Sequence, residues 1–189
     1  MTLNSYSIYL FTFSAMLYPV KAAYIMDFAT VIFCIVIVVV TFLFWEFVAW
    51  FSHKYIMHGV LWRWHKSHHT VHNHAFERND LFAVVFSAPC IGLLYYATLI
   101  NYNPYLISVG IGIFCYGLFY FIFHDVIVHQ RIRWRLIRKG KYLQRIINAH
   151  YIHHGKHTKE GCEAFGFLIA PKKYEPKHFS LKTKRQETQ

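Results

Sequence analysis

Residues 28–51 (FATVIFCIVIVVVTFLFWEFVAWF) constrain this chain more than any other stretch. About 20 apolar residues, rising 1.5 Å each in a helix, match the roughly 30 Å hydrocarbon core of a bilayer. Within that core every backbone N–H and C=O must be satisfied inside the segment, so the run has to be helical. Two more stretches repeat the signal. One is 81–100 (LFAVVFSAPCIGLLYYATLI), where Pro89 predicts a kink. The other is 105–123 (YLISVGIGIFCYGLFYFIF), where Gly110, Gly112 and Gly117 would let helices approach closely. Between them Asn101-Tyr102-Asn103-Pro104 carries turn residues, so the pair reads as a helical hairpin. Residues 6–26 are apolar but interrupted by serines, Pro19 and Lys21. They lack the charged start and small-residue cleavage site of a signal peptide and read as a weaker fourth span. The expected fold is all-α and integral to the membrane, with about four transmembrane helices in two hairpins.

Composition agrees with that reading. Hydrophobic residues make up 56% of the 189 and charged residues only 15%, against roughly 25% charged in soluble domains. The net charge of +11 could suggest nucleic acid, but that needs a soluble basic face, which so apolar a chain does not offer. The charge is better explained by topology. Of the 20 Lys and Arg residues, all but Lys21 lie between the 28–51 and 81–100 spans or after the 105–123 span. The positive-inside rule then puts both polar segments in the cytoplasm. Trp45 and Trp50 sit where interfacial anchors would. Cys34, Cys90 and Cys115 fall in apolar runs and Cys162 stands alone, so no disulfide framework or cysteine metal site follows. Three parts result: a weak N-terminal membrane segment over 1–27, a main domain over 28–172 and a basic flexible tail over 173–189.

Those two polar segments hold all 14 histidines. His53 and His58 are five residues apart, and His65, His68 and His69 form H-x-x-H-H. After the hairpin the pattern returns: His124 and His129 are again five apart, and His150, His153 and His154 repeat H-x-x-H-H. On a helix, positions i, i+3 and i+4 share a face, so each cluster would bring three imidazoles to one point. The wider pairs do not share an α-helical face, since five steps rotate the chain by roughly 140°. They fit either a helix end where the chain bends or two ligands serving different metals. Neutral imidazole binds zinc, copper, iron and nickel. Ten histidines suit two metals with four or five ligands each, leaving positions for an oxygen species. The pair of Glu-x-x-His motifs used by helical-bundle di-iron proteins and the H-E-x-x-H of metalloproteases are both absent. The expected centre is a cytoplasmic, helical, His-rich cap around a dimetal site. A metal transporter would place its ligands in mid-span, and a membrane haem protein needs only two axial ligands.

With these residues in view the chain resembles the fatty acid hydroxylase and sterol desaturase superfamily of histidine-rich membrane di-iron enzymes. The stretches HKYIMHG, LWRWHKSHH, FERNDLF, HDVIVHQR, AHYIHHGK and GCEAFGFLIAP are similar to those of bacterial beta-carotene hydroxylases. The resemblance spans about residues 29–172. His72 and His74 depart from the pattern and complicate the ligand count. It implies a non-haem di-iron monooxygenase that uses O2 to hydroxylate C3 of the β-ionone rings of beta-carotene, giving zeaxanthin by way of cryptoxanthin. It also implies two iron ions, a ferredoxin-type electron donor and a bacterial inner-membrane location. Iron suits such redox chemistry, whereas zinc has no accessible redox states. Other enzymes of the superfamily (a carotenoid ketolase, a sterol or fatty acyl hydroxylase) remain open alternatives.

Several further residues have two readings. Glu46 lies one heptad before His53 on the same face and is either a partner orienting that imidazole or an interfacial acid. Asp125 either holds His124 or is a solvated loop acid. Glu77, Asn79 and Asp80, matching the resemblance, suit a helix start or a hydrogen-bonding role toward the ligands, with Asn79 a candidate water-mediated ligand. Trp62 and Trp64 either line the substrate ring pocket or anchor the interface. The run from Arg131 through Arg133, Arg135, Arg138, Lys139 and Lys141 to Arg145 faces either anionic lipid or the electron donor.

Overall fold

The computed structural model describes residues 26–70, 76–132 and 140–175. Every regular element among them is helical. Helix α1 runs over Phe28–Phe51 and is capped by Asp27, whose carboxylate accepts from the Thr30 backbone N–H at 2.8 Å and from its hydroxyl at 2.9 Å. It continues as a π-helix over Ser52–Val60 until the backbone breaks at Gly59. A short α2 (Trp62–His65) tightens into a 3₁₀ turn over Lys66–His69. Helix α3 (Leu81–Tyr95) begins from a 3₁₀ turn over Arg78–Asp80 and ends in a π turn over Tyr96–Ile100. Helix α4 (Pro104–Tyr120) returns and also becomes π-helical, over Phe121–Val128. Helix α5 (Lys141–His154) is amphipathic, and a 3₁₀ turn over Lys172–Tyr174 follows it.

Three of these helical stretches, Phe28–Val60, Arg78–Ile100 and Pro104–Val128, are long and apolar enough to cross a membrane. They coincide with the three strong runs in the sequence. The weaker run at 6–26, and with it the first hairpin, lies outside the described residues. The turn before α4 forms as expected: Asn103 accepts from the backbone N–H of Tyr105 and Leu106 at 3.0 and 3.2 Å, with Pro104 at the first helical position.

Helix α4 sits between the other two, and two of its glycines show why. A Cβ on Gly112 would come within 2.7 Å of the Thr41 Cβ and 2.8 Å of the Val38 carbonyl on α1. One on Gly110 would meet the Leu94 side chain of α3 at 2.4 Å. The close approach expected of small residues is real at these two positions. It does not extend to Gly117, where a Cβ would meet nothing within 4 Å. The outward faces of the spans are apolar and exposed, with Phe33, Val40, Val84, Ile91 and Phe114 all more than half exposed, as contact with lipid requires.

The buried apolar core lies at the end of the bundle that carries the histidines. Phe123 and Val128 meet Ile146, Ile147 and Ala149 of α5 and Phe167, Ala170 and Tyr174 beyond it. Burying these side chains holds α5 and the segment after it against the ends of the membrane helices.

Candidate metal centre

All ten patterned histidines come together, and they form two groups. His53, His58, His65, His69 and His153 make the first; His68, His124, His129, His150 and His154 make the second. Within each group the ligand atoms lie within 4.8 Å of one another. The two halves of the sequence exchange one residue. Each half supplies four imidazoles to its own group and the middle histidine of its H-x-x-H-H to the other.

Helix geometry explains the exchange and corrects the expectation that each cluster meets at one point. At 3.6 residues per turn, positions i and i+4 are about 40° apart, whereas i+3 and i+4 are about 100° apart. On α5, His150 and His154 therefore face the second group while His153 turns to the first. The preceding cluster divides the same way, with His65 and His69 together and His68 apart. The five-residue spacing also resolves. Both pairs lie in π-helical turns, where residue i+5 bonds back to residue i. The His129 N–H donates to the His124 carbonyl at 2.9 Å. The π geometry stacks each pair, so His53 and His58 share one group and His124 and His129 the other.

Proton placement tests whether these groups suit a metal. In the first group every Nδ1 faces an oxygen that can only accept. His53 donates to the Phe165 carbonyl (2.9 Å), His58 to that of Lys159 (3.1 Å), His69 to that of Lys156 (2.7 Å) and His153 to that of Glu163 (2.8 Å). His65 donates to the side-chain oxygen of Asn79 at 2.7 Å. A neutral imidazole with its proton on Nδ1 has only a lone pair on Nε2. Yet Nε2 of His53 lies 3.1 Å from that of His65, and His58 stands likewise to His153 at 3.1 Å. Lone pairs converging at such distances call for a cation between them. Extra protons are a poor substitute here. Burial brings His153 down to about 3 against the opposing bond to the Glu163 carbonyl, with neighbouring imidazoles adding to the fall. Burial likewise brings His69 down to about 4, against the opposing bond to Lys156, and His65 to about 2.

The second group follows the same logic with different partners. His68 donates through Nδ1 to Glu77 at 2.9 Å, and its Nε2 stands 2.9 Å from that of His124. The Nδ1 of His124 lies 3.4 Å from Asp125. Nε2 atoms of His129 and His150 are 3.0 Å apart. Nε2 of His154 is buried with no hydrogen-bond partner. Burial lowers His129 to about 3 and holds His68, His150 and His154 well below the usual histidine range. Neutral, all-nitrogen donor sets of this kind fit divalent iron, zinc, copper or nickel.

The supporting residues only partly match expectation. Glu46 is buried, but its hydrogen bonds do not go to His53. It accepts from the backbone N–H of Phe167 (2.7 Å) and Leu168 (2.8 Å) and from the Tyr116 hydroxyl (2.8 Å). A carboxylate at this depth needs charge-stabilising donors, and the loop after α5 supplies them. Its effect on His53 passes through that loop, whose Phe165 carbonyl holds the imidazole. Asn79 orients His65. Glu77 and Asp80 close a reciprocal cap at the start of α3 while Glu77 also orients His68. Arg131 belongs to this network rather than to a free basic face. It bonds to Glu77, lies 2.7 Å from Asp80 and 3.4 Å from Asp125. Arg145 likewise pairs with Glu175 at 3.1 Å. Arg133, Arg135, Arg138 and Lys139, like His72 and His74, lie outside the described residues.

A cavity of about 560 Å³ adjoins both groups. It is mainly apolar, with Trp45, Ala49, Phe82, Phe86, Ile113 and Phe114 among its walls, and His53 and His124 open onto it, one from each group. Trp62 and Trp64 do not line it. Trp62 instead packs on His58 and His69, with ring centroids 5.0 and 5.4 Å apart, and Trp64 on Phe82 at 5.6 Å. The carbonyl oxygens that hold the first group were hidden from sequence reasoning because any residue can supply them. Arg131 was hidden by the basic run around it.

Membrane-length helices carrying two all-histidine groups beside an apolar cavity define a class: a membrane protein whose histidine groups are suited to holding metal. The chain belongs to the fatty acid hydroxylase family, whose model matches residues 38–171. It is 49% identical over 135 residues to a beta-carotene hydroxylase of Pantoea ananas, covering 71% of this chain and 76% of that one. Against a beta-carotene hydroxylase of Paracoccus sp. (strain PC1) it is 43% identical, covering 71% and 83%. Identity to the chloroplastic beta-carotene 3-hydroxylase 2 of Arabidopsis thaliana is 37%, over 69% of this chain and 43% of that one. No solved structure matches the chain.

Proposed function

We propose that this protein is a beta-carotene 3-hydroxylase, a non-haem di-iron monooxygenase that converts beta-carotene to zeaxanthin through cryptoxanthin. The observation that carries the reading is the apolar cavity onto which a histidine from each group opens. At about 560 Å³ it falls in the range of small-molecule pockets, roughly 300–1,000 Å³. It is large enough for a cyclic hydrocarbon end group. The relatives named as beta-carotene hydroxylases supply the substrate.

In this reading His53, His58, His65, His69 and His153 hold one iron and His68, His124, His129, His150 and His154 the other. Iron so held supplies the redox chemistry that couples O2 cleavage to C–H oxidation. The net reaction consumes one O2, two electrons and two protons per hydroxyl and releases one water. The protein's own residues do the rest. The apolar walls bind the ring and keep bulk water from it. Carbonyl, amide and carboxylate acceptors fix His53, His58, His65, His68, His69 and His153 so that the free nitrogen of each points inward. Asp80, Asp125 and Arg131 supply charged groups to the lining of the same cavity. The electrons come from a ferredoxin-type donor, and the histidine face lies in the cytoplasm, as the basic segments favour. A fourth span over 1–27 belongs to this reading, but the expected tail boundary at 173 does not hold: Tyr174 is buried in the core and Glu175 pairs with Arg145, so residues 173–175 belong to the main domain.

The test is pigment analysis after expression in bacteria that make beta-carotene. Zeaxanthin with some cryptoxanthin is expected. Unchanged beta-carotene beside well-expressed, iron-loaded protein would reject the proposal, and 4-keto products would move the assignment to a ketolase. A reporter-fusion map that placed Asn101–Asn103 in the cytoplasm would reverse the topology.

A further inference from the structure

The two histidine groups differ in what lies behind them. Behind the first group are neutral oxygens only: the carbonyls of Lys156, Lys159, Glu163 and Phe165 and the amide of Asn79. Behind the second are carboxylates. Glu77 accepts from His68, and Asp125 lies 3.4 Å from His124. Asp80 adds a third negative charge, and Arg131 offsets only one of the three. Glu77 is the more telling of these, because its side chain is 4% exposed and its charge is little screened by water.

An imidazole that donates to a carboxylate is a more basic ligand than one that donates to a carbonyl. Fixed negative charge next to a metal also favours its more positive state. We infer that the two metal positions are electronically inequivalent, the carboxylate-backed position at His68, His124, His129, His150 and His154 holding the more positive ion. That position keeps ferric iron longer during reduction, and the first electron enters at the carbonyl-backed position. Glu77 and Asn79 are then positioning residues that set the difference, each acting through one imidazole. The inference rests on the di-iron reading.

The experiment is Mössbauer spectroscopy of the ⁵⁷Fe-loaded full-length holoenzyme, followed through a reductive titration. Two quadrupole doublets of equal area are expected in the fully reduced protein, with only one of the two irons ferrous after the first electron. Glu77→Gln should shift one doublet, and that iron should now be reduced more easily. Asn79→Asp, which keeps the oxygen acceptor but adds a charge, should shift the other. Glu77→Gln should also weaken retention of its own iron against a ferrous chelator by about 10- to 100-fold while leaving the second iron unchanged. If Glu77→Gln does not accumulate, Asp125→Asn must shift the same doublet that Asn79→Asp leaves alone. One doublet in the wild type, or both variants moving the same doublet, overturns the inference. Fewer than two irons per chain in the wild type would instead overturn the di-iron reading beneath it.

Discussion

Glu46 is a buried carboxylate near the end of α1, held by the Tyr116 hydroxyl and the backbone N–H groups of Phe167 and Leu168. A carboxylate inside an apolar run signals a special role, because an unpartnered charge there is costly. Its partners could not be read, since two of them are backbone N–H groups more than 120 positions away and neither depends on residue type. The same limit hid the carbonyls behind His53, His58, His69 and His153. Patterned side chains were legible; the backbone acceptors that aim them were not. Glu46→Ala would leave the N–H groups of Phe167 and Leu168 and the Tyr116 hydroxyl without an acceptor. Each buried unsatisfied donor costs about 1–3 kcal/mol, so a loss of several kcal/mol is expected in thermal unfolding of the detergent-solubilised protein. Glu46→Gln keeps an acceptor oxygen and should lose less. Equal stability of Glu46→Ala and wild type would show that the loop does not depend on this anchor.

Among the elements, the spans were legible because apolar length is a local property, and the hairpin turn because Asn-Pro chemistry is local too. The π-helical ends were not. A five-residue spacing looks mismatched when every helix is assumed to be α, and only the wider turn over Ser52–Val60 and Phe121–Val128 lets both members of a pair face one way. The glycines of α4 separate in the same fashion: sequence makes them alike, but packing does not. Gly112→Ala would drive a methyl group into Thr41 and the Val38 carbonyl, and backbone cannot step aside as a flexible side chain can. Overpacking of this kind costs roughly 1–3 kcal/mol. Gly117→Ala meets open space and should be neutral or stabilising by up to about 1 kcal/mol from helix propensity. Thermal melts of the two variants side by side check this. A Gly112→Ala protein as stable as Gly117→Ala would mean that α1 and α4 are not in close contact there.

For the whole molecule, ten imidazoles, eight buried and two half-buried, join the membrane helices, α5 and the loop beyond it into one unit, and this makes stability depend on pH and metal together. His69, His129 and His153 are lowered by burial to about 4, 3 and 3 from an ordinary value of 6.5. The folded protein therefore binds fewer protons than the unfolded chain between pH 6.5 and about 3 to 4. Stability rises with pH wherever the unfolded state holds more protons. The metal-free protein should accordingly be most stable above about pH 6.5 and lose stability steadily as the pH falls through that window, with no further loss from these three groups below about 3. Metal binds only the neutral imidazoles, so a bound ion must raise stability at neutral pH and delay the acid loss. Melting temperatures measured from pH 8 to 4, with ferrous iron and with excess chelator, test both statements. The chelated protein should melt lower at every pH and fall off earlier on acidification. Two curves that superimpose would mean that the imidazoles hold no ion in common, and that α5 stays in place through the core around Phe167 alone.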